Sequence, residues 1–460
     1  MQQTLIFDID LIRRYDKAGP RYTSYPTAVK FHNDFDEAAY RQYAQNSNET
    51  GKPLSLYVHL PFCDTVCFYC ACNKVATKNR TLAKPYLAHV HQEMAYQSAL
   101  FNRERIVTQL HWGGGTPTFL SHGEMRDLMQ GIKENFQLLG DDRGEYSIEI
   151  DPREMQPDTV AFLREQGFNR MSLGVQDFDP KVQKAVNRIQ TEEQTKAVLE
   201  AARFEGFKSI SIDLIYGLPH QSIDSFGKTL DKVIALKPNR LSIFNYAHLP
   251  SLFKPQRRIL EADLPSPAEK LAILQNTTDQ LTKAGYIYIG MDHFALPDDE
   301  LTQAQRNGTL YRNFQGYSTH ANCDLIGLGI TSIGKVGDSY SQNVKTLEEY
   351  YAQVDGGHIP VFRGIALNDD DKLRRAVITQ LICHFSLDIG AIEQEYQIDF
   401  KNYFSVEWAE LETLQDDGLL VRSDERIDIL PSGRLLVRNI CMTFDAYLRQ
   451  NQEQRFSKVI

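Results

Sequence analysis

Apolar runs of strand length alternate with amphipathic stretches of helix length from about residue 54 to residue 295. The strand candidates are SLYVHL (55–60), VTQLHW (107–112), YSIEID (146–151), RMSLGV (170–175), SISIDLIYG (209–217), RLSIFNY (240–246) and YIYIGM (286–291). Helical patterns between them include AKPYLAHVHQEMAYQSALF, TEEQTKAVLEAARFEGF and SPAEKLAILQNTTDQLTKAGY. Repeated strand–helix–strand units are typical of a parallel sheet, and near-continuous apolar strands fit burial on both faces. The pattern predicts an α/β fold, a partial (β/α)6 barrel of the TIM type.

Polar and glycine-rich segments come at or near the carboxyl ends of the predicted strands. They are the cysteine loop after the first strand, Gly113–Thr118 after the second, Glu149 and Asp151 ending the third, Gln176 and Asp177 after the fourth, Asp213 on the fifth, and Asn245–Ala247 closing the sixth. In barrels of parallel strands, active sites assemble on this face. We therefore expect these segments to converge on one mouth.

Each of these segments also has a purely structural interpretation. The glycines Gly113, Gly114 and Gly115 suit a tight turn, although three glycines also let the backbone approach a ligand directly. Glu149 and Asp213 suit buried helix caps, although ribose hydroxyls need acceptors of this kind. Gln176 and Arg188 suit ordinary surface positions. Convergence of the whole set on one face is therefore stronger evidence for an active site than any single segment.

Four of the seven cysteines lie within ten residues, as Cys63, Cys67, Cys70 and Cys72 in PFCDTVCFYCACNKV. Three thiolates spaced C-x3-C-x2-C can wrap three corners of a 4Fe-4S cubane in one loop, which leaves the fourth iron open for a ligand. Cys72 follows Cys70 so closely that one tight loop makes a fourth corner difficult. Zinc is the alternative, but its sites usually pair two cysteine knuckles from separate segments, and no second CxxC or HxxxH pair follows.

Length, charge and cysteine usage narrow the class of protein. With 460 residues, 42% of them hydrophobic, the chain is long enough for one barrel-sized domain and a smaller one. The net charge of -10 argues against general nucleic-acid binding. No apolar run approaches the length of a membrane span, and acidic residues interrupt the apolar stretch of the N-terminal MQQTLIFDIDLIRRYDKAGP, unlike an export signal. An odd number of cysteines, most in one loop, favours reduced thiols in the cytoplasm.

The C-terminal third differs in pattern from the strand repeats. After GLGITSIGK (327–335), two helical segments, DDKLRRAVITQLICHF and EWAELETLQDDGLL, precede a two-strand stretch, LVRSDERIDILPSG, and the helix RLLVRNICMTFDAYL. This order resembles a winged helix, but acidic residues on the candidate recognition helix favour a lid or substrate-docking domain over a nucleic-acid-binding regulator. We expect an N-terminal arm over the barrel mouth at 1–50, the barrel at 51–335 and a helical, winged-helix-like domain at 336–460.

The cysteine spacing, with aromatic Tyr69 just before Cys70, resembles the signature of the radical S-adenosylmethionine superfamily. Longer segments are similar to the oxygen-independent coproporphyrinogen III oxidase family: GPRYTSYPTA (19–28), LHWGGGTPT, SIEIDPRE, GVQDF, VNR, IDLIYGLP, FNYAHLP, GMDHFA and YRNFQGY. The resemblance spans nearly the whole chain. It implies that S-adenosylmethionine occupies the open iron and that one electron from the cluster cleaves it to a 5'-deoxyadenosyl radical.

The resemblance also implies roles for individual residues. The cluster ligands would be Cys63, Cys67 and Cys70, with Cys72 a nearby non-ligand. Two S-adenosylmethionine molecules are implied: the first would contact Tyr57, Gly114, Glu149 and Ile333, with Tyr69 beside the cluster, and the second would contact Gly115, Thr116, Gln176, Arg188, Asp213 and Ala247. Ala71 stands where glycine also occurs in the family.

The implied reaction is oxidative decarboxylation of the ring A and B propionates of coproporphyrinogen III to vinyl groups, which gives protoporphyrinogen IX in anaerobic haem synthesis. A side-chain base alone could not remove hydrogen from such a saturated carbon, so cofactors would carry the difficult step. The expected partners are this substrate and a flavodoxin-type electron donor, for a monomeric enzyme. A related haem chaperone is the alternative, but such proteins tend to lack the GPRYTSYP and GMDHFA segments.

Overall fold

The computed structural model describes residues 5–155 and 158–450. The chain forms two compact units that are interleaved in sequence. The first, here called the sheet unit, comprises residues 31–270 and 322–366. The second, the mixed unit, comprises the described residues up to 30, residues 271–321 and those from 367 onward. The edges of these units therefore do not coincide with the expected domain boundaries at residues 50 and 335.

The strands alternate with helices along the chain. The strands are β1 (Leu54–Leu60), β2 (Phe62–Cys63), β3 (Val75–Ala76), β4 (Ile106–Gly114), β5 (Gln137–Leu138), β6 (Glu145–Ile150), β7 (Arg170–Gln176), β8 (Ser209–Tyr216), β9 (Arg240–Asn245), β10 (Ile287–Gly290), β11 (His293–Ala295), β12 (Tyr311–Asn313), β13 (Gly316–Ser318), β14 (Asp324–Leu328), β15 (Ile333–Val336), β16 (Ser339–Asn343), β17 (Val361–Ala366), β18 (Ser386–Asp388), β19 (Leu420–Arg422) and β20 (Arg426–Ile429). The helices are α1 (Ile9–Tyr15), α2 (Glu37–Ser47), α3 (Ala83–Ser98), α4 (His122–Asn135), α5 (Thr159–Gln166), α6 (Pro180–Ala185), α7 (Glu192–Phe204), α8 (Ile223–Leu236), α9 (Pro267–Lys283), α10 (Glu300–Arg306), α11 (Leu347–Asp355), α12 (Asp369–His384), α13 (Ile389–Tyr396), α14 (Phe400–Tyr403), α15 (Ser405–Asp416), α16 (Val437–Thr443) and α17 (Ala446–Gln450).

Parallel strands form the centre of the sheet unit. Their order is β14, β1, β4, β6, β7, β8 and β9. Antiparallel β15, β16 and β17 extend the sheet beyond β14. Successive strands from β4 to β9 are joined through helices, which is the connection that parallel pairing requires. The predicted α/β class with a partial barrel is confirmed.

The sheet unit includes segments that the sequence assigned to its neighbours. His32 pairs with Gly364 of β17, since the amide of His32 donates to the Gly364 carbonyl at 2.9 Å and the reverse bond is 3.1 Å long. Strands β16 and β17 continue the antiparallel pairing from β15. Residues 31–50 and 336–366 therefore belong to this unit because backbone pairing and packing tie them to its sheet.

Two strands depart from the sequence pattern. The run at 286–291 does not continue the parallel series of the sheet unit, because β10 turns through Met291 and Asp292 into β11 and pairs with it antiparallel. A connection this short allows only a hairpin. Strand β14 instead lies parallel to β1, with Leu54 opposite Asp324, although more than half the chain separates these residues in sequence.

The core of the sheet unit lies between the strands and the helices that cover them. Fully buried side chains include Leu56, Val58, Leu110, Trp112, Ile148, Leu173, Ile212 and Leu214. Helices α4, α7 and α8 have the N-cap residues Ser121, Thr191 and Ser222, and each has a capping box. Such caps satisfy amide groups that the first turn leaves without partners, so these helices begin at defined residues after the strands.

The mixed unit gathers the chain's N-terminal segment and its C-terminal helices. The hydroxyl of Tyr22 donates to Asp445 at 2.9 Å, and the Ala446 amide donates to the Tyr25 hydroxyl at 3.1 Å. Strands β18, β20 and β19 form a small antiparallel sheet in that order, beside helices that follow the expected winged-helix order. Within the described residues, no helix has the length and apolar character needed to cross a membrane.

Candidate functional site

A row of polar side chains crosses the parallel strands of the sheet unit. Tyr57 lies opposite His111, and His111 opposite Ser147. Two residues further along their strands, Glu149 lies opposite Ser172, which in turn lies opposite Ser211. Because alternate residues of a strand point to the same face, this register places polar groups along one face of an otherwise apolar sheet. The row continues to Asp213, which lies opposite Ser242.

The glycine loop closes tightly on its surroundings at the end of β4. Gly114 has φ +111°, and a Cβ there would lie 2.5 Å from the His59 ring. A Cβ on Gly113 would lie 2.7 Å from Glu149 Oε1, and one on Gly115 would lie 2.6 Å from the Phe62 carbonyl oxygen. Any larger residue at these positions would displace a neighbour, and at Gly115 that neighbour is backbone.

Glu149 is held as a carboxylate at the centre of this row. The Gly114 amide donates to its Oε2 at 3.0 Å, and His111 Nε2 lies 3.3 Å from its Oε1. Desolvation alone would raise the pKa of Glu149, but the hydrogen bonds and charge of His111 and the Gly114 amide outweigh it and bring that pKa below its usual value. Its side chain is still 44% exposed, so a ligand can reach the carboxylate.

Asp213 lies on a neighbouring strand and has the opposite character. Ser172 Oγ donates to Asp213 Oδ2 at 2.9 Å, and Ser242 also hydrogen-bonds to the carboxylate. Burial raises the pKa of Asp213 to about 6, since these neutral donors do not compensate for the loss of water. Asp213 therefore ionises close to neutral pH.

Three side chains at this mouth have polar atoms that are buried without a hydrogen-bond partner among the described residues. They are Gln176 Oε1, Arg188 Nε and Asn245 Oδ1. Gln176 also has φ +70°, a conformation that a non-glycine residue adopts at some energetic cost. Buried polar groups without partners are rare in native proteins. The three atoms are therefore available to a ligand.

Each of the first three clustered cysteines has a hydrogen-bond donor close to its sulfur. Thr116 Oγ1 donates to Cys63 Sγ at 3.5 Å. Two arginines, Arg153 and Arg188, each donate to Cys67 Sγ at 3.6 Å. Hydrogen bonds from Cys72 and then the charge of Lys74 lower the pKa of Cys70. Donors of this kind stabilise the negative charge of thiolate ligands.

The two arginines beside Cys67 are held by one buried carboxylate. Arg153 Nη2 lies 2.6 Å from Asp151 Oδ2, and Arg188 Nη1 lies 3.0 Å from the same oxygen. Arg188 Nη2 also donates to the Gly174 carbonyl. Burial alone would raise the pKa of Asp151, but the charges of Arg188 and Arg153 bring it below its usual value. Asp151 thus aligns both guanidinium groups toward the cysteine loop.

The cysteine loop fits a cluster better than a single metal ion. Among residues 5–155 and 158–450, no three His, Cys, Asp or Glu side chains converge as ligands of one ion. A 4Fe-4S cluster does not need such convergence, because each cysteine binds a different iron atom. Three cysteine sulfurs with donors beside them are therefore a donor set for a cluster, and Cys72 is exposed.

The other predicted site residues are distributed over several elements of the sheet unit. The Tyr57 ring stacks on His111 with centroids 5.8 Å apart, and Tyr69 packs against a buried cluster that includes Tyr246 and Ile259. Ile333 begins β15, beside β14 at the far end of the parallel series. Ala247 is exposed just after β9.

Several residues of this mouth were not predicted from the sequence. His59 and His111 surround Glu149 and the glycine loop, and Arg153 contacts Cys67. Asn245 was predicted only as part of the segment that closes the sixth strand. A signal for the histidines was present, because polar residues recur at every second position of otherwise apolar strands, as in LSLYVHL and TQLHW. Arg153 had no comparable signal, since its contact depends on a loop.

Comparison with known protein families agrees with this site. Residues 57–233 match the radical SAM superfamily, and residues 367–436 match the HemN C-terminal domain. The first match includes the cysteine loop, the glycine loop, Glu149 and Asp213. The chain is therefore a radical SAM protein.

Full-length relatives narrow the class to one family. The oxygen-independent coproporphyrinogen III oxidase of Pseudomonas aeruginosa is 57% identical over 100% of both chains. That of Escherichia coli K12 is 51% identical over 100% of this chain and 99% of the relative. The solved structure of coproporphyrinogen III oxidase (HemN) from Escherichia coli, described as a radical SAM enzyme, superimposes with a TM-score of 0.92 at 50% identity, covering 97% of this chain and 100% of that one. This chain belongs to the family of oxygen-independent coproporphyrinogen III oxidases.

Proposed function

We propose that this chain oxidatively decarboxylates the ring A and B propionates of coproporphyrinogen III to vinyl groups, producing protoporphyrinogen IX for haem synthesis without oxygen. The observation that carries the proposal is the 57% identity over the full length of a named relative. The mouth of the sheet unit supports it, since three cysteines, a glycine loop and two carboxylates come together there.

Cys63, Cys67 and Cys70 would hold a 4Fe-4S cluster in this proposal. When bound, the reduced cluster and S-adenosylmethionine would supply a 5'-deoxyadenosyl radical able to take a hydrogen atom from the carbon beta to a propionate carboxylate. Loss of carbon dioxide, with transfer of the remaining electron to a one-electron acceptor, would complete each vinyl group. The protein's own part is to orient these groups and to exclude water.

The proposal includes two S-adenosylmethionine molecules, each bound by its own set of residues. The first set is Tyr57, Gly114, Glu149 and Ile333. The second is Gly115, Thr116, Gln176, Arg188, Asp213 and Ala247. Unpartnered atoms of Gln176 and Arg188 belong to the second set, which gives that set hydrogen-bonding capacity that the protein leaves unused.

The proposal extends to partners and location. Each S-adenosylmethionine cleavage consumes one electron, so an external reductant of the flavodoxin type is required. We propose a monomeric enzyme in the cytoplasm, where reduced thiols and anaerobic metabolism are compatible with the cluster.

Anaerobic incubation of the reconstituted protein with coproporphyrinogen III, reductant and S-adenosylmethionine tests the function. The expected products, identified by mass, are protoporphyrinogen IX and 5'-deoxyadenosine. Cys67→Ala should abolish both, whereas Cys323→Ala, which removes a buried thiol outside the loop, should retain both. Tight haem binding without turnover would contradict the proposal and favour a haem chaperone.

A further inference from the structure

Three arginines of the mixed unit lie close together, and none of them belongs to the site described in the sheet unit. Arg312 and Arg438 are only 6% and 4% exposed. Arg21, in the GPRYTSYP segment, has a side chain that is 36% exposed, and its Nη1 donates to Asp292 Oδ2 at 2.8 Å. The group therefore reaches solvent at Arg21 and is buried at the other two members.

Positive charges repel one another within this group. Burial, followed by repulsion from Arg21, lowers the pKa of Arg438 to about 10; Arg312 also repels it, while Asp292 attracts it. Burying positive charge without an equal counter-charge is costly unless another ligand compensates for it.

Part of the group has a clear structural role. Arg438 Nε donates to the Pro20 carbonyl at 3.0 Å, and its Nη2 donates to the Gly19 carbonyl. Arg438 therefore anchors the N-terminal segment and places Arg21 beside it. These contacts explain why Arg438 is buried, but not why a second arginine lies next to it.

Arg312 is the member whose charge the protein leaves uncompensated. Its Nε donates to the Arg21 carbonyl at 3.4 Å, and its guanidinium lies 4.8 Å from the centre of the Tyr317 ring. Its Nη1 is buried without a hydrogen-bond partner, and no carboxylate within the described residues forms an ion pair with it. A planar guanidinium with unused donors is suited to binding a carboxylate through two parallel hydrogen bonds.

We propose that Arg312, together with Arg21 and Arg438, binds a propionate carboxylate of the porphyrinogen substrate. This inference rests on the proposed function, because coproporphyrinogen III carries four propionates and must be held by groups other than those that bind S-adenosylmethionine. In a chain with a net charge of -10, an anionic substrate requires a local cationic site of this kind.

Equilibrium binding of coproporphyrin III to the reconstituted full-length protein tests the inference. This oxidised porphyrin keeps all four propionates, and its tetramethyl ester, in the same detergent-containing buffer, lacks their charge. The variants are Arg312→Gln, Arg312→Lys and, as a matched control, Arg306→Gln, which removes an exposed arginine from α10 in the same unit. Iron content, S-adenosylmethionine binding and thermal unfolding are measured for each protein.

Arg312→Gln should weaken coproporphyrin binding and raise KM for coproporphyrinogen III by about tenfold or more, with iron content and S-adenosylmethionine binding unchanged. Arg312→Lys should recover part of the loss, and Arg306→Gln and the parent should bind equally. The ester should bind parent and Arg312→Gln alike.

Two results would overturn the inference: unchanged coproporphyrin affinity in Arg312→Gln, or an equal loss of affinity for the ester, which would indicate a packing defect. If Arg312→Gln does not fold, Arg312→Lys decides. Its affinity for coproporphyrin should be lower than that of the parent while its affinity for the ester is unchanged, and an unaltered ratio of porphyrin to ester affinity would overturn the inference. A parent protein that makes protoporphyrinogen IX while Arg312→Gln binds normally would refute only this inference. A parent that neither binds coproporphyrin nor makes product would refute the proposed function and this inference together.

Discussion

Glu149 and Asp213 occupy the same face of one parallel sheet, yet their surroundings shift their pKa values in opposite directions. Glu149 is bound by His111 and the Gly114 amide, which favour the carboxylate. Desolvation raises the pKa of Asp213 to about 6, because the serine hydroxyls bound to it do not offset the loss of water. Identical chemical groups thus acquire different properties from their neighbours, which is how one site can contain two different binding positions.

The same difference extends to the surrounding residues. On the Glu149 side, the protein's own groups already satisfy the carboxylate. On the Asp213 side, Gln176 and Arg188 retain buried atoms without partners. In the proposed arrangement of two cofactors, the first position would therefore be preorganised by protein contacts, whereas the second would be completed by its ligand.

The largest expected effect concerns the cluster. Cys63→Ala, Cys67→Ala and Cys70→Ala should each lose the roughly four irons and four sulfides expected per chain. Cys72→Ala should retain them, because its thiol donates to Cys70 and is not assigned as a ligand. Iron and sulfide analysis of anaerobically prepared protein measures this, with Cys323→Ala as the matched control. Equal loss in Cys72→Ala would show that the ligand assignment is wrong.

A smaller and more selective effect should separate the two carboxylates. Asp213→Asn should weaken one S-adenosylmethionine site by about tenfold or more and leave the other nearly normal, since removing one charged partner costs about 1 to 3 kcal/mol. Glu149→Gln should weaken the other site. Binding of labelled S-adenosylmethionine to the reconstituted variants measures both. If both substitutions weakened a single site equally, the two positions would not be distinct.

The pH dependence should also distinguish the two positions, by a few-fold. Because the pKa of Asp213 is raised to about 6, its carboxylate is protonated as the pH falls through that value. Affinity at the Asp213 position should therefore rise between pH 5 and pH 7.5, while the Glu149 position stays constant over this range because its pKa is lowered. Binding isotherms at several pH values measure this. An equally steep rise in Asp213→Asn would assign the titration to another group.

The smallest expected effect is on the redox potential of the cluster. Arg153→Gln removes a charged donor from Cys67 Sγ and should lower the midpoint potential, because hydrogen bonds to ligand sulfurs favour the reduced cluster. Redox titration monitored by electron paramagnetic resonance measures the shift, with iron content as a check on cluster assembly. Arg103→Gln, at an exposed position that bonds to the Glu134 carbonyl, is the control. An unchanged potential would mean that Arg153 only orders Asp151.

The sheet was predictable because its signals are local. Apolar strands such as SISIDLIYG and helices with capping boxes carry their pattern within a few residues, and parallel order follows from the helical connections. The addition of β14 beside β1 was not predictable in the same way, because the pairing of Leu54 with Asp324 joins distant segments. The interleaving of the mixed unit has the same cause.

Family motifs, rather than composition or periodicity, supplied the residue list for the mouth. The structure brings Glu149 to the glycine loop and Arg188 to Cys67. The opposite pKa shifts of Glu149 and Asp213 could not be predicted from the sequence. They depend on which groups contact each carboxylate, a histidine and an amide for Glu149 and serines for Asp213. Arg312 was hidden for a related reason, since its missing counter-charge becomes visible only when the charges around it are known.

The stoichiometry of S-adenosylmethionine in the reconstituted parent protein tests the central claim most directly. Equilibrium dialysis with labelled S-adenosylmethionine, under anaerobic conditions and with four irons per chain verified, should give two molecules bound per chain. One of the two should be lost selectively in Asp213→Asn. A saturating stoichiometry of one in the parent would contradict the account and leave a radical enzyme with a single cofactor position.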